Sequence, residues 1–294
     1  MLGFLKPEYL YRPSQLWKRL THGKWRGNVR VRLPWGKEIL VSADDNVGQQ
    51  IATLGLYDLV VTETLWRLCD EGETAIDVGA NIGYTTFVIA QRLDMGSILC
   101  FEPHPFVFEK LSANVESLKK QGSQVRFTLH QQALGSVAGE LPLYVPKDFQ
   151  SHGGESTLAT PNHIEFNSKP VVVPVVTLDS LVGSQEIGVM KMDVEGFELE
   201  VLHGAEETFR NRRVRDCVFE EHNLYPTPVT KWFESKGYQI FRMDRRLTRP
   251  ILLPPNSTIP RTTWTPTNYL ATINPERAKQ RFVSPNWLCL RNSQ

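Results

Sequence analysis

Asp77, Gly79, Asn81 and Gly83 alternate through the stretch TAIDVGANIGYTTFVIA (74–90), where a strand-like run ends and a helical one begins. Glycines there admit main-chain angles closed to other residues and let another group approach the backbone. Free amides at a helix start favour an anionic group. The dinucleotide fingerprint G-x-G-x-x-G is absent at this turn, and so is the Gly-Lys-Ser/Thr of a phosphate loop. Asp77 would repel a pyrophosphate, but it suits a ligand that carries an ammonium beside a carboxylate, an amino acid moiety. Glu102 ends the next strand-like run, in ILCFEPHP, where an acid accepts hydrogen bonds from ribose hydroxyls. An amino acid joined to a nucleoside describes S-adenosylmethionine.

A second set of acids lies in MKMDVEGFELE (190–200). Lys191, Asp193 and Glu195 recur at every second position, so an extended chain would lean them to one side. A lysine inside an apolar strand is costly unless paired, so a nearby carboxylate is the plain structural partner for Lys191. Methyl transfer to a hydroxyl needs the acceptor oxygen aligned and its proton removed as the new bond forms. Asp193 and Glu195 are candidate bases, and either could instead hold the methionine ammonium or substrate hydroxyls. Glu198 suits a helix-capping acid as well as a site residue. Glu221 and His222 form a further candidate pair, with His222 able to act as a base. Asp193 and Glu221 could offer oxygens to a divalent ion, but no further clustered ligands accompany them and no metal is expected.

These residues need elements to hold them. The pattern predicts strands at 75–78, 97–101, 125–130, 188–192, 216–220 and 238–243, with helices at 84–92, 105–119, 198–209 and 228–235 between them. Such alternation implies an α/β fold with a mostly parallel sheet covered on both faces. The acids named above then sit at the carboxyl ends of strands, where ligands bind in open sheets. A short helix near 13–20 and a hairpin turning at Pro34-Trp35-Gly36 precede this region. A helix at 57–69 leads into it, and a Pro-rich tail with one late strand at 268–272 follows. The loop SHGGESTL (151–158), Trp264 and Tyr269 are candidate walls for an acceptor, although the two aromatics could equally belong to the core.

The segments IDVGANIGYTT, FEPHP, ALG (133–135), VVTLDSL and MKMDVEGFELEVLHGA resemble the FkbM family of S-adenosylmethionine-dependent methyltransferases over roughly residues 55–222. The late PTNYLA is also similar to what many members carry. The resemblance implies a Rossmann-like, doubly wound, mostly parallel seven-stranded sheet with helices on both faces. It adds Ala133 to Asp77, Gly79, Asn81, Gly83 and Glu102 as cofactor-binding residues, and implies methylation mainly of hydroxyls on sugars or secondary metabolites. An N-terminal extension (1–54), a methyltransferase domain (55–272) and a C-terminal tail (273–294) are expected. The expected partner is a small-molecule or glycan acceptor.

Charge and composition bound the alternatives. The 294 residues are 41% hydrophobic, enough for a globular core, and carry a net charge of +1. That balance is uneven: residues 1–37 hold nine Lys/Arg and one acid, 242–294 hold nine and two, and 38–241 hold 15 against 29. Basic ends with interleaved Tyr9, Tyr11, Trp17, Trp25 and Trp35 raise a nucleic-acid methyltransferase as the alternative. Base-amino methyltransferases, however, carry a polar-Pro-Pro-aromatic element where this chain has DVEG. A non-catalytic S-adenosylmethionine-binding protein is the other alternative. The four cysteines lack metal spacing, and no apolar run reaches membrane-span length, so a cytoplasmic protein is expected. The segment LYRPSQLWKRL could touch a membrane peripherally.

Overall fold

The computed structural model describes residues 7–147, 156–158, 169–260 and 266–291. Helices α1 (Pro7–Tyr11) and α2 (Pro13–His22) lead into a hairpin of β1 (Asn28–Arg32) and β2 (Glu38–Ser42). Next come α3 (Asn46–Leu54), α4 (Leu59–Leu68), β3 (Thr74–Val78), α5 (Tyr84–Leu93), β4 (Ser97–Phe101), α6 (Pro105–Lys120) and β5 (Arg126–His130). A small sheet follows, made of β6 (Ala133–Leu134), β7 (Gly139–Leu143) and β8 (Val171–Val176). The main alternation resumes with α7 (Leu178–Val182), β9 (Ile187–Met192), α8 (Glu198–His203), α9 (Glu206–Arg210), β10 (Val214–Glu221), α10 (Pro228–Ser235) and β11 (Gln239–Arg245). β12 (Pro250–Leu253), β13 (Thr267–Thr272) and α11 (Pro275–Val283) follow, and a single 3₁₀ turn at Leu288–Leu290 comes after them.

The main sheet runs β12-β11-β13-β10-β9-β3-β4-β5. Its inner strands are parallel, and β13 enters antiparallel between β10 and β11. β5-β4-β3-β9-β10 is the 3-2-1-4-5 order of a doubly wound sheet, with its switch point between β3 and β9. β9 is buried along its whole length, which explains why IGVMKM reads as an unbroken apolar run apart from Lys191. One face packs on α4, α5 and α6 through Leu65, Phe87 and Leu111, the other on α8, α9 and α10 through Val201, Phe209 and Phe233. All four cysteines are buried and free. No helix among the described residues is long and apolar enough to cross a membrane.

The fold class is the one expected, with an eighth strand, β12, added at the edge beyond the seven. The helix expected at 198–209 divides into α8 and α9. Beyond α11, Glu63 of α4 accepts from the backbone amides of Leu288 and Cys289 at 2.9 and 2.8 Å and pairs with Arg67 at 2.7 Å. Arg67 in turn donates to the carbonyls of Arg281 and Asn286. The tail thereby fixes α4, whose N-terminal end at Asp58 borders the candidate site.

Candidate active site

The loop after β3 is built by backbone contacts to both neighbouring strands. The amides of Gly79 and Ala80 both donate to the Phe101 carbonyl at 3.0 Å. On the other side the Asp193 amide donates to the Val78 carbonyl at 3.2 Å, extending the β3–β9 pairing past the end of β9. Gly79 has φ +69°, and a Cβ there would lie 1.9 Å from the Asp193 carbonyl oxygen. Asn81 also adopts positive φ (50°), with its side-chain oxygen accepting from the Ile82 amide at 2.7 Å. Gly83 caps α5 at φ 91° beside Leu111 of α6. The glycines are therefore required first by the closeness of β9 and α6.

Asp77 lies wholly inside this frame, at 0% exposure. Oδ2 accepts from the hydroxyls of Thr85 and Thr86 at 2.8 and 2.6 Å, while Oδ1 has no hydrogen-bond partner among the described residues. Lys191 approaches Oδ1 to 3.8 Å and Asp193 Oδ2 to 3.5 Å, and donates to the Gly79 carbonyl at 2.8 Å. Burial opposes the Lys191 charge, but Asp193 and Asp77 outweigh it and hold the ammonium above its ordinary pKa. Lys191 is thus paired with carboxylates and ties Asp77, the glycine loop and Asp193 together.

Glu102 is 8% exposed and accepts from the amides of Asn81 and His104, at 3.0 Å each. Burial pushes its carboxyl up to about 7 against those two amides. Beside it, Val78, Gly79, Phe101, Pro103, Ala133 and Phe197 line a largely apolar pocket at the carboxyl ends of β3 and β4. Ser156 and Leu158 border the same pocket.

The alternation of Lys191, Asp193 and Glu195 stops at Asp193, because Glu195 and Gly196 both take positive φ, 54° and 91°. Glu198, 6% exposed, accepts from the amides of Val194 and Gly196, and burial raises its carboxyl to about 7. It shapes this turn. Glu195 turns instead toward β10, where its carboxylate stands 3.7 Å from His222 Nε2. The nearby Glu195 carboxylate, with Glu220 adding to it, raises His222 to about 9 against the opposing effect of burial. Asp193 and Glu195 keep partial exposure, at 34% and 28% of their side chains. Glu221 accepts from the Asn223 amide and sits in alternation with Phe219, on the face opposite Glu220. Asp193 and Glu221 therefore do not converge, and no group of three metal-capable side chains occurs among the described residues.

Several neighbours were not marked by the sequence. Glu220 pairs in register with Asn268 of β13, and the Asn268 side chain donates to Asp58 at 3.1 Å. Burial first, and then Asp193 and Glu195, raise the Glu220 carboxyl well above its ordinary value. Tyr57 shares the surroundings: burial and the charges of Asp193, Asp58, Glu220 and Glu195 all raise its phenol. Tyr269 instead belongs to the core, at 1% exposure and stacked on Phe219 at 5.7 Å, so it forms no acceptor wall. Trp264 and residues 151–155 of the Gly/Ser loop lie outside the described residues.

A doubly wound sheet with a glycine turn and acids at its switch point defines a Rossmann-like α/β protein, a fold that binds ligands beyond the carboxyl ends of its strands. The family profile described as Methyltransferase FkbM domain matches residues 77–240, and the chain belongs to the FkbM methyltransferase family. The hexuronic acid methyltransferase AglP of Haloferax volcanii is 27% identical over 175 residues, which is 58% of this chain and 65% of that protein. The chain thus spans just under two-thirds of that relative. Methyltransferase sdnD of Sordaria araneosa is 30% identical over 198 residues, covering 57% of this chain and 74% of its own. The crystal structure of Methyltransferase FkbM from Methylobacillus flagellatus KT is 15% identical, covers 70% of this chain and 47% of that one, and has a TM-score of 0.44.

Proposed function

We propose that this protein methylates a hydroxyl group of a sugar, glycan or secondary metabolite, using S-adenosylmethionine. The observation that carries the reading is the juxtaposition of the apolar pocket and Glu102 on one side of the glycine loop with Asp193 and Glu195 on the other. The features present fit that cofactor. The apolar lining at Pro103, Ala133 and Phe197 lies beside Glu102, and a flat base packing there would have to widen the space, because Phe101 behind it is fully buried against His130. Glu102 spends one lone pair of each oxygen on a backbone amide, and a carboxylate offers about four acceptor positions, so ribose hydroxyls can still be accepted. The Gly79–Gly83 turn, with Asn81 in it, is the cradle for the amino acid end. Asp77 acts there through Lys191 and the threonines, holding the loop's shape. When bound, S-adenosylmethionine supplies a methyl group activated by its sulfonium.

This chain's own part is to orient the acceptor and take its proton. Asp193 is held by Lys191, whereas Glu195 is held by His222 and faces the opening with Glu220 and Tyr57 near it. Glu195 is our choice for the base, with the His222 imidazolium fixing its orientation, and Asp193 positions the acceptor hydroxyl. The hexuronic acid methyltransferase relative favours uronic or related sugars as first acceptors to try. The test is transfer of labelled methyl from S-adenosylmethionine to a panel of hydroxylated sugars. Glu195→Gln is expected to lower kcat about 10²–10⁴-fold with little change in KM. Asp193→Asn should raise KM as well. A wild-type protein that binds the cofactor but transfers methyl to none of these acceptors counts against the sugar assignment. Unchanged turnover in Glu195→Gln removes it as base.

Glu102 makes a pH prediction. Its carboxyl is raised from 4.5 to about 7, so on the acid side of that value it is protonated and a poor acceptor. Affinity for S-adenosylmethionine should therefore rise as pH increases through about 7. Folding stability should move the other way. A raised carboxyl contributes stability present below 4.5, and that stability is lost as pH rises through about 7. Glu102→Gln should flatten both profiles, as read by equilibrium dialysis and by urea unfolding across that range. A wild-type affinity that is flat with pH would exclude Glu102 as the ribose acceptor.

A further inference from the structure

Residues 9–37 contain eight Lys/Arg and no acid. Tyr9, Leu33 and Trp35 anchor this segment in the core, and other parts of it lie on the surface. Gln15 of α2 is buried at 5% exposure, while Leu10, Trp17 and Leu20 stand out at 56%, 69% and 63%. Trp17 and Leu20 are three residues apart and so share a helix face. α2 packs on α3, and the chain then crosses 23–27 into the hairpin, whose exposed face bears Arg30 and Arg32 opposite Leu40 and Glu38. Lys24 and Arg26 are exposed on the crossing. None of these four cations has an ion-pair partner among the described residues.

We propose that this N-terminal face docks on an anionic lipid surface, with Trp17, Leu20 and Leu10 entering the headgroup layer and Lys24, Arg26, Arg30 and Arg32 above it. The chemistry is that of an interfacial helix, with apolar and aromatic side chains on the inserted side and bases flanking them. Tryptophan favours the boundary between headgroup and hydrocarbon, where its ring is apolar and its N–H is wet. The remainder of the molecule supplies an orientation. Residues 38–241 carry 15 bases against 29 acids, whereas 242–294 carry nine against two, so an anionic surface attracts this end and repels the acidic middle of the chain. Nucleic acid shares the positive charge requirement, but it gives exposed leucines nothing to enter, and the two leucines favour lipid.

The test is sedimentation of the full chain with vesicles of phosphatidylcholine alone and with roughly one-third phosphatidylglycerol, without cofactor or acceptor. Binding is expected only to the anionic vesicles, and it should weaken as salt is raised. Trp17→Ala with Leu20→Ala should weaken it about tenfold or more while leaving the circular dichroism and melting temperature unchanged, because both side chains are exposed. Arg30→Glu with Arg32→Glu should weaken it to a similar degree through charge alone. Equal pelleting with both vesicle types, or binding indifferent to the Trp17/Leu20 pair, would overturn the proposal. Binding to a duplex oligonucleotide that survives the Trp17/Leu20 change and displaces the vesicles would assign the face to nucleic acid instead.

Discussion

Replacing Gly79 with alanine is expected to destabilise the protein by about 2–5 kcal/mol and to abolish cofactor binding at temperatures where it still folds. Two effects combine. The residue sits at φ +69°, which costs any residue with a Cβ, and the added atom would stand 1.9 Å from the Asp193 carbonyl oxygen. That oxygen is backbone, fixed by the bond between the Asp193 amide and Val78, so relief requires β9 and the glycine loop to separate. Gly83→Ala is the contrast. It also has positive φ, but its Cβ would crowd the Leu111 Cδ1 at 2.9 Å, a side-chain end rather than backbone, with Thr86 Cβ in ordinary contact at 4.0 Å. A cost of about 1–2 kcal/mol is expected there. Urea unfolding of both variants checks the order. Equal costs would mean that the approach of β9 to Gly79 is not what demands glycine.

Lys191→Met is the second large effect. Its ammonium, 6% exposed, lies between Asp77 and Asp193 and bonds the Gly79 carbonyl. Methionine fills the space but leaves the fully buried Asp77 facing no cation, and breaking such a pair costs about 3–5 kcal/mol. Asp77→Asn alone should cost less, because Lys191 keeps Asp193 and the loop carbonyl. The double variant should cost less than the sum, with a coupling of about 1–3 kcal/mol. Strict additivity in a double-mutant cycle would show that Lys191 serves the loop through its hydrogen bond alone.

The sequence displayed the repeating strands and helices because β3, β4 and β9 are apolar runs followed directly by glycine or acid, and α5, α6 and α8 come after them in turn. It did not display α3. NVGQQIATL opens with Asn, Val and Gly, all poor helix formers, and the helix start rests on the Asp45 side chain that accepts from the Gly48 amide. β12 begins with a proline in a Pro-rich tail and exists because it can pair at an edge, where proline is tolerated. α11 has almost no apolar stripe and is held by its Asn274 cap and by ion pairs of Arg277 and Arg281 with Asp70.

The candidate site shows the same division. Acids at strand ends could be read from spacing, because each strand's last residue is visible in the chain. What they face could not. Glu220 lies one residue before the pair singled out at 221–222, and strand parity turns it to the opposite face, beside Asn268 of a strand much later in sequence. Tyr57 and Asp58 reach the site from a loop ahead of the repeating region, and only the packing of α4 brings them there. Asp77 is conspicuous in IDVGANIG for its place before the glycines, yet its burial and its approach to Lys191 come from the β3–β9 register, which no local pattern reports.

The most direct measurement is calorimetric titration of the intact protein with S-adenosylmethionine and with S-adenosylhomocysteine, beside Glu102→Ala. Micromolar binding of both ligands by the intact protein is expected, weakened about tenfold or more in a Glu102→Ala protein that melts cooperatively. A folded wild-type protein that takes up neither ligand at millimolar concentration would contradict the account, and the glycine turn would then be a strand–helix junction with no cofactor to hold.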